Sequence, residues 1–104
     1  MTSRAKTTMR GPRSVLDLKR PPTAPGDMLL EEFLKPAGLT QVEAARRMGI
    51  PLNRLNEVVR GKRGITAETA LRLATLLEMS PEFWMGLQAD WDLWHAARDL
   101  AKAG

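Results

Sequence analysis

Basic and amide side chains are concentrated in residues 40–63, and these are the groups that bind nucleic acids. The stretch holds six Lys or Arg residues against two Glu residues, a local charge of +4. Residues 23–104 as a whole carry a charge of −1, so the positive charge is local. Guanidinium and ammonium groups neutralise phosphates, and amides bond base edges. The composition therefore favours DNA binding over the alternative, a helical hairpin with a solvated charged face.

Five side chains of a short predicted helix are expected to point away from the protein, because Leu55 and Val58 mark its buried face. They are Leu52, Asn53, Arg54, Asn56 and Glu57. Asn53 and Asn56 are suited to bond adenine edges. Arg54 is suited to a guanine or a phosphate, and Leu52 to the methyl group of a thymine. We interpret this helix as the one that reads bases.

Charged residues at the end of this helix have different expected roles. Arg60, Lys62 and Arg63 follow the helix and are better suited to backbone phosphates than to bases. Glu57 leaves two possibilities open: it accepts a hydrogen bond from a cytosine, or it pairs with Arg54 or Arg60. The sequence thus predicts base reading along the helix and phosphate binding just beyond it.

Two short helices joined by a glycine turn are predicted to carry these side chains. A capping box spans residues 40–43, in which the Thr40 hydroxyl bonds the third amide and a Glu reaches back. The first helix ends at Gly49, which tolerates a left-handed conformation, and the second ends before Gly61. The residues predicted to face inward from the first helix are Val42, Ala45 and Met48. Residues 40–61 match a helix-turn-helix, whose second helix enters a DNA major groove.

Helical periodicity extends over the rest of residues 23–104. Apolar residues recur at i, i+4 spacing after Pro25, and Thr66 is placed to cap a fourth helix. Ser80 followed by Pro81 opens a fifth helix. No segment shows β-branched alternation. The sequence predicts an all-α domain of five helices.

The fifth helix, over about residues 81–102, has an apolar arc wider than one small core covers. The arc includes Trp84, Leu87, Trp91 and Trp94. One side is expected to close the domain and the other to pair with a second copy, which predicts a homodimer. The alternative is that all three Trp residues belong to the intrachain core. A two-fold dimer would place two reading helices about 34 Å apart, one turn of DNA.

Residues 1–22 differ in composition from the rest of the chain. They hold six positive residues and one negative residue, a charge of +5, with few apolar residues. A stretch that buries so little surface does not offset its ordering entropy, so we predict a flexible basic arm. Two interpretations stay open: a leader or misplaced start, and an arm that binds phosphates.

The composition excludes several functional classes. The chain has no Cys and only one His, which excludes a zinc finger and a histidine-rich site, so no metal or cofactor is expected. Ser80 and His95 lie about 22 Å apart along one predicted helix, too far for a nucleophile–base pair, so no enzyme activity is expected. No apolar run approaches the roughly 20 residues of a membrane span. A soluble cytoplasmic protein without membrane contact is expected.

Several separated motifs resemble those of one known family. Gly38-Leu39-Thr40-Gln41, Gly49-Ile50-Pro51 and Gly61-Lys62 are similar to the XRE, or lambda-repressor-like, helix-turn-helix family. Residues 25–34, 56–66 and 80–84 resemble its HigA-type, or VapI-like, antitoxins, and the whole resemblance covers roughly residues 24–95. Three positions depart from the pattern of this family: Ala24, Ala44 and Trp91. None of them lies in the reading helix.

The resemblance implies a lambda-repressor-like fold and the role of antitoxin in a type II toxin–antitoxin pair. HigA-type proteins bind a palindromic operator as homodimers, repress their own operon and neutralise a HigB-type toxin, a RelE-like ribonuclease that cuts mRNA. Gln41 matches the family glutamine that grips a phosphate and braces the reading helix. The protein would be bacterial and associated with the nucleoid when bound to DNA. The alternatives are a stand-alone repressor without a toxin partner and a protein-interaction module that has lost DNA binding.

Overall fold

Five helices form where the sequence has caps and apolar periodicity. The computed structural model describes residues 14–103. The helices are α1, which begins as Pro25–Asp27 and continues as the π-helix Met28–Leu34, α2 (Gln41–Met48), α3 (Leu52–Val59), α4 (Ala67–Leu77) and α5 (Pro81–Ala103). No strand occurs in this part of the chain, and the all-α prediction is confirmed. None of the described helices is both long and apolar enough to cross a membrane.

Side-chain caps fix the starts of three helices. The hydroxyl of Thr40 accepts a hydrogen bond from the amide of Glu43 at 3.1 Å, and Thr66 and Ser80 cap α4 and α5 in the same way. The carboxylate of Glu43 turns outward to two arginines. The predicted capping box therefore forms through its hydroxyl contact, while the Glu43 side chain takes another role.

The turn between α2 and α3 requires a left-handed residue. Gly49 has a φ of 74°, and its N–H donates to the carbonyl of Ala45 at 2.9 Å. Ile50 is then buried, and Pro51 adopts an extended conformation immediately before α3. This turn packs α3 against α2 and leaves the first turn of α3 exposed.

One apolar core joins all five helices. The side chains with no exposed surface include Leu29 and Leu34 of α1, Leu55 of α3, Leu73 of α4 and Trp84 of α5. Because α3 is anchored in this core through Leu55 and Val58, the direction of its outer face is set by the packing of the whole domain.

Val42 faces solvent, contrary to the prediction that it is buried. Its side chain is 62% exposed, and α2 buries Ala44, Ala45 and Met48 instead. Ala44 and Met48 are four residues apart and set the inner face of the helix. Val42 lies two residues before Ala44, about 160° around the helix, so it points away from the core.

Trp84 lies in the intrachain core and not at a dimer interface. Its exposure is 0%, and its ring packs edge-on against Phe33 and Phe83 with centroids 5.2 and 5.1 Å apart. Leu87 is partly buried and packs against the same core. The prediction that Trp84 contacts a second copy is wrong, because the indole has no exposed surface within the single chain.

The segment before α1 contacts the far part of α5. It contains the 3₁₀ turn Val15–Asp17, and the carbonyl of Leu18 accepts a hydrogen bond from Trp94 Nε1 at 3.0 Å. The guanidinium of Arg98 stacks on the Trp94 ring at 4.3 Å and donates to the carbonyl of Lys19. Trp94 is thereby buried by its own chain, which corrects its predicted place at the dimer interface.

The predicted flexible arm needs a corresponding correction. Of residues 1–22, the part around Leu18 and Lys19 is bonded to α5. The segment has few apolar residues of its own, but Trp94 and Arg98, which lie far away in the sequence, donate hydrogen bonds to its backbone carbonyls. Residues 1–13 of the predicted arm lie outside the described residues.

Candidate nucleic-acid interface

The first turn of α3 presents two of the predicted base-reading residues to solvent. Leu52 is 45% exposed and Asn53 is exposed beside it. Leu55 and Val58 are buried on the opposite side, as predicted. Leu52 and Asn53 therefore lie on the outer surface, where a helix-turn-helix contacts bases.

Gln41 and Asn56 form a hydrogen-bonded pair across the two helices. The amide Nδ2 of Asn56 donates to Oε1 of Gln41 at 3.2 Å, and both side chains are half-buried. Gln41 begins α2, so the bond braces α3 against α2. Asn56 is thus turned sideways toward Gln41, and the structure does not direct it outward as the adenine contact requires.

Arg54 is turned toward α4. Its Nη2 donates to Glu68 Oε1 at 3.1 Å and to Thr69 Oγ1 at 3.2 Å, and its side chain is mostly buried. The prediction of a guanine or phosphate contact took Arg54 to be outward-facing, whereas α4 supplies two acceptors on that side of α3. Arg54 therefore positions α3 on α4 in this structure.

Glu68 is the centre of this network. Its second oxygen accepts from Arg72, whose Nη1 donates to the carbonyl of Met48 at the end of α2. Hydrogen bonds from Arg72 and then from Arg54 lower the pKa of Glu68 below its ordinary value. One carboxylate thus links both helices of the helix-turn-helix to α4.

Glu57 pairs with Arg63, a partner that the sequence did not indicate. Arg63 Nε donates to Glu57 Oε1 at 3.0 Å, and the backbone amides of Lys62 and Arg63 both donate to the carbonyl of Glu57. The segment after α3 is therefore wrapped around the end of the helix. Arg60, Lys62 and Arg63 are all exposed there, on the surface predicted to bind phosphates.

A shallow, open cleft lies between the N-terminal ends of α2 and α3. It is lined by Thr40, Gln41, Val42, Leu52, Asn53 and Asn56. Val42 is the residue that the sequence analysis missed, because a Val beside a helix cap was taken to face the core. The spacing of Ala44, Ala45 and Met48 defines the buried face of α2, and Val42 does not fall on that face.

Comparisons with known proteins assign the family. The sequence profile of the helix-turn-helix family matches residues 30–84. Virulence-associated protein I of Dichelobacter nodosus is 42% identical over 79 residues, which are 76% of this chain and 73% of that protein. Antitoxin HigA-1 of Vibrio cholerae is 41% identical over 76 residues, 73% of this chain and 71% of that protein. This chain belongs to the helix-turn-helix family, in its HigA-type (VapI-like) branch.

A solved structure agrees with this assignment of a HigA-type fold. The chain superposes on the Pseudomonas aeruginosa antitoxin HigA, solved with the higBA promoter, with a TM-score of 0.75 at 34% identity. The superposition covers 79% of this chain and 89% of that one. The segment around Leu18, which contacts α5, precedes the part matched by the family profile.

The last helix of this HigA-type chain has two faces. Leu87, Trp91 and Trp94 lie on the intrachain side, where Trp91 is half-buried and its ring packs at a tilt against His95, with centroids 4.2 Å apart. The opposite side carries Leu93, 54% exposed, and Leu100, 74% exposed. Small exposed residues stand between and before them at alternating spacings of three and four: Gly86, Ala89 and Ala96. The prediction that α5 is apolar on two sides thus agrees with the structure, but the outer side uses other residues.

Proposed function

We propose that this chain is the antitoxin of a type II toxin–antitoxin pair. It binds its operator as a homodimer, represses its own operon and neutralises a HigB/RelE-like toxin that cleaves mRNA. The observation that carries the proposal is the exposed first turn of α3, with Leu52 and Asn53 at the surface, on a HigA-type fold. Such a turn on a braced helix is suited to enter a major groove and to read base edges.

Phosphate binding follows from the groups that surround this turn. Gln41 lies at the start of α2, where its amide and the helix N-terminus can face the same phosphate. Arg60, Lys62 and Arg63 form an exposed basic group beyond the end of α3. Gln41 is bonded to Asn56 of α3 and the basic group follows the end of α3, so groups suited to phosphates lie at two places along the helix. Arg54 supports this binding by holding α3 on α4.

The homodimer is proposed to form through the outer face of α5. The residues of this face are Gly86, Ala89, Leu93, Ala96 and Leu100. Their three-and-four spacing is the pattern of paired helices, and the small residues allow two helix backbones to approach closely. This proposed face differs from the one predicted from the sequence, because Trp84, Leu87, Trp91 and Trp94 lie on the intrachain side of α5.

Repression and toxin neutralisation are tested separately in cells. A reporter driven by the DNA directly upstream of the gene is expected to be repressed by the wild-type chain and not by Asn53→Ala. Co-expression with the neighbouring reading frame is expected to restore growth that the neighbouring protein alone inhibits, and the two proteins are expected to co-purify. A reporter that does not respond to the wild-type chain contradicts operator binding. Repression without growth rescue favours the stand-alone repressor over the antitoxin.

A further inference from the structure

We propose that Val42 and Leu52 form the two walls of a binding site for the 5-methyl group of a thymine. The site is the cleft between the N-terminal ends of α2 and α3. The proposal rests on the proposed operator binding and adds a second helix to base recognition, because Val42 belongs to α2. It also names the base: an A·T pair whose thymine methyl enters the cleft.

The side chains of Val42 and Leu52 are exposed and do not belong to the apolar core. Val42 is 62% exposed and Leu52 is 45% exposed, whereas the apolar residues that hold α2 to α3 are buried. The buried set comprises Ala44, Ala45, Met48, Ile50, Leu55, Val58 and Val59. Two branched apolar side chains on the outer surface of a helix-turn-helix are therefore available to contact a ligand.

The lining of the cleft is uncharged. Thr40, Gln41, Asn53 and Asn56 complete it around the two apolar side chains. A phosphate would be bound better by the basic group beyond the end of α3, which lies outside this lining. An uncharged cleft lined by apolar and amide side chains instead matches a base edge.

The major-groove edge of an A·T pair has the same arrangement of groups. It presents the thymine methyl beside the O4 acceptor, and the adenine offers an N6 donor and an N7 acceptor. With the methyl between Val42 and Leu52, the amide of Asn53 on the rim is suited to bond the adenine edge. The apolar and polar groups of the cleft are thus each matched by one group of the pair.

The bond between Gln41 and Asn56 keeps the cleft in shape. Asn56 Nδ2 donates to Gln41 Oε1 at 3.2 Å, so one residue of each helix is tied at the rim. The distance between the two apolar walls is then set before DNA binds. Such preorganisation reduces the entropy cost of binding the methyl group.

The test removes single methyl groups from the DNA. The full chain is titrated against the duplex directly upstream of its gene, in which each thymine in turn is replaced by deoxyuridine, and Kd is measured by fluorescence anisotropy. In each half-site, one thymine is expected to show a loss of affinity of about fourfold, the effect of one buried methyl group. The other thymines outside this position are expected to show little change.

Protein variants assign the effect to the cleft. In Val42→Ala and Leu52→Ala the difference between thymine and deoxyuridine at that position is expected to shrink, and in the double variant to disappear. Both positions are exposed and helical, so the variants keep the fold. Leu71→Ala is the matched control, because Leu71 is an exposed apolar residue of α4 outside the cleft, and it should keep the full difference.

Four outcomes overturn the proposal. If the upstream duplex is bound tightly but no single methyl deletion matters, the cleft does not read a methyl while operator binding stands. If the fourfold effect persists in the double variant, another residue reads the methyl group. If the variants lose only the co-purifying neighbouring protein, the cleft is a protein contact. If the wild-type chain shows no preference for the upstream duplex, the proposed function and this site both fail.

Discussion

Arg54 joins the reading helix to α4 through one guanidinium group. It donates to Glu68 and Thr69, and Glu68 in turn binds Arg72, which donates to the end of α2. An arginine whose donors are used in this way contributes to the orientation of α3 more than to neutralising a phosphate. A residue that binds a phosphate and a residue that only positions α3 can therefore be distinguished by how their replacement changes the salt dependence of operator affinity.

Replacing Arg54 with Ala is expected to lower the free energy of unfolding by about 1 kcal/mol, because two hydrogen bonds to α4 are lost. Operator affinity should fall with little change in the slope of log Kd against log salt. Arg60→Ala, the matched exposed arginine, should reduce that slope by about one and leave the unfolding free energy unchanged. Chemical denaturation and anisotropy titrations at several salt concentrations measure both quantities. A slope reduced equally by Arg54→Ala would show that Arg54 binds a phosphate.

Glu43 has a strongly lowered pKa. Hydrogen bonds from Arg46 and then from Arg47 lower its pKa from 4.5 to about 2. A carboxyl group whose pKa is lowered by folding stabilises the fold above its unfolded pKa, and this contribution is lost as the pH falls through the folded pKa. The contribution of Glu43 is therefore complete above about pH 4.5 and is lost by about pH 2.

Thermal unfolding between pH 6 and pH 2.5 tests this dependence. The wild-type midpoint should fall more steeply below about pH 4.5 than that of Glu43→Gln, because the variant has no proton to take up at this position. Glu32→Gln on α1 removes another exposed carboxylate and serves as the control. Identical pH profiles for wild type and Glu43→Gln would contradict an ion pair between α2 residues in solution.

At the scale of the elements, the features predictable from the sequence are those that a few neighbouring residues determine. Thr40, Thr66 and Ser80 cap their helices, and Gly49 takes the left-handed turn, because each depends on backbone groups at most four residues away. The number of helices and the buried face of α3 follow from periodicity in the same way.

The features that were not predictable depend on helices that meet in space. Arg54 turns to α4 because Glu68 and Thr69 offer acceptors there, fourteen and fifteen residues further along the chain. Trp94 is covered by a segment 76 residues before it. No local pattern contains either partner. Leu52 and Asn53 keep the outward direction predicted for them, whereas Arg54 and Asn56 are turned to bonds that brace α3.

The start of α1 packs against the end of the reading helix at a glycine. A Cβ atom built on Gly26 would lie 2.3 Å from the carbonyl oxygen of Val58 and 2.5 Å from that of Val59. These are backbone atoms, which cannot move aside as a flexible side chain does. The position of α3 relative to α1 thus depends on the absence of a side chain at residue 26.

Gly26→Ala is therefore expected to lower the free energy of unfolding by about 1–3 kcal/mol, because the new methyl group must push α1 away from α3. Operator affinity should fall with it. Asp27→Ala, at the exposed neighbouring position, should change the free energy of unfolding by less than about 0.5 kcal/mol. Chemical denaturation of the three proteins measures the effect. A Gly26→Ala variant as stable as the wild type would contradict the close packing.

At the scale of the whole molecule, α5 connects the core of one chain to the proposed dimer. Its inner side holds Trp84 and Trp94, which are buried within the chain. Its outer side holds Leu93 and Leu100, whose exposure is hard to explain in an isolated domain. The proposed pairing through the outer side would bury these residues and set the separation of the two reading helices.

Leu93→Asp is expected to convert the dimer to a monomer, because two carboxylates would face each other across the helix pair. Operator affinity should fall by about a hundredfold or more, since each half-site would then be bound alone. Leu71→Asp, an equally exposed leucine on α4, should leave the dimer intact. Sedimentation equilibrium gives the mass directly. A dimer that persists in Leu93→Asp would show that another surface mediates pairing.

The most direct test of base reading by the first turn of α3 is a comparison of two affinities. Kd is measured for the duplex upstream of the gene and for a shuffled duplex of equal length and composition, with wild type and Asn53→Ala, at one fixed salt concentration. The wild-type chain is predicted to bind the upstream duplex about a thousandfold or more tightly than the shuffled one. Asn53→Ala should lose affinity for the upstream duplex alone. Equal wild-type affinity for both duplexes would contradict base reading by this helix.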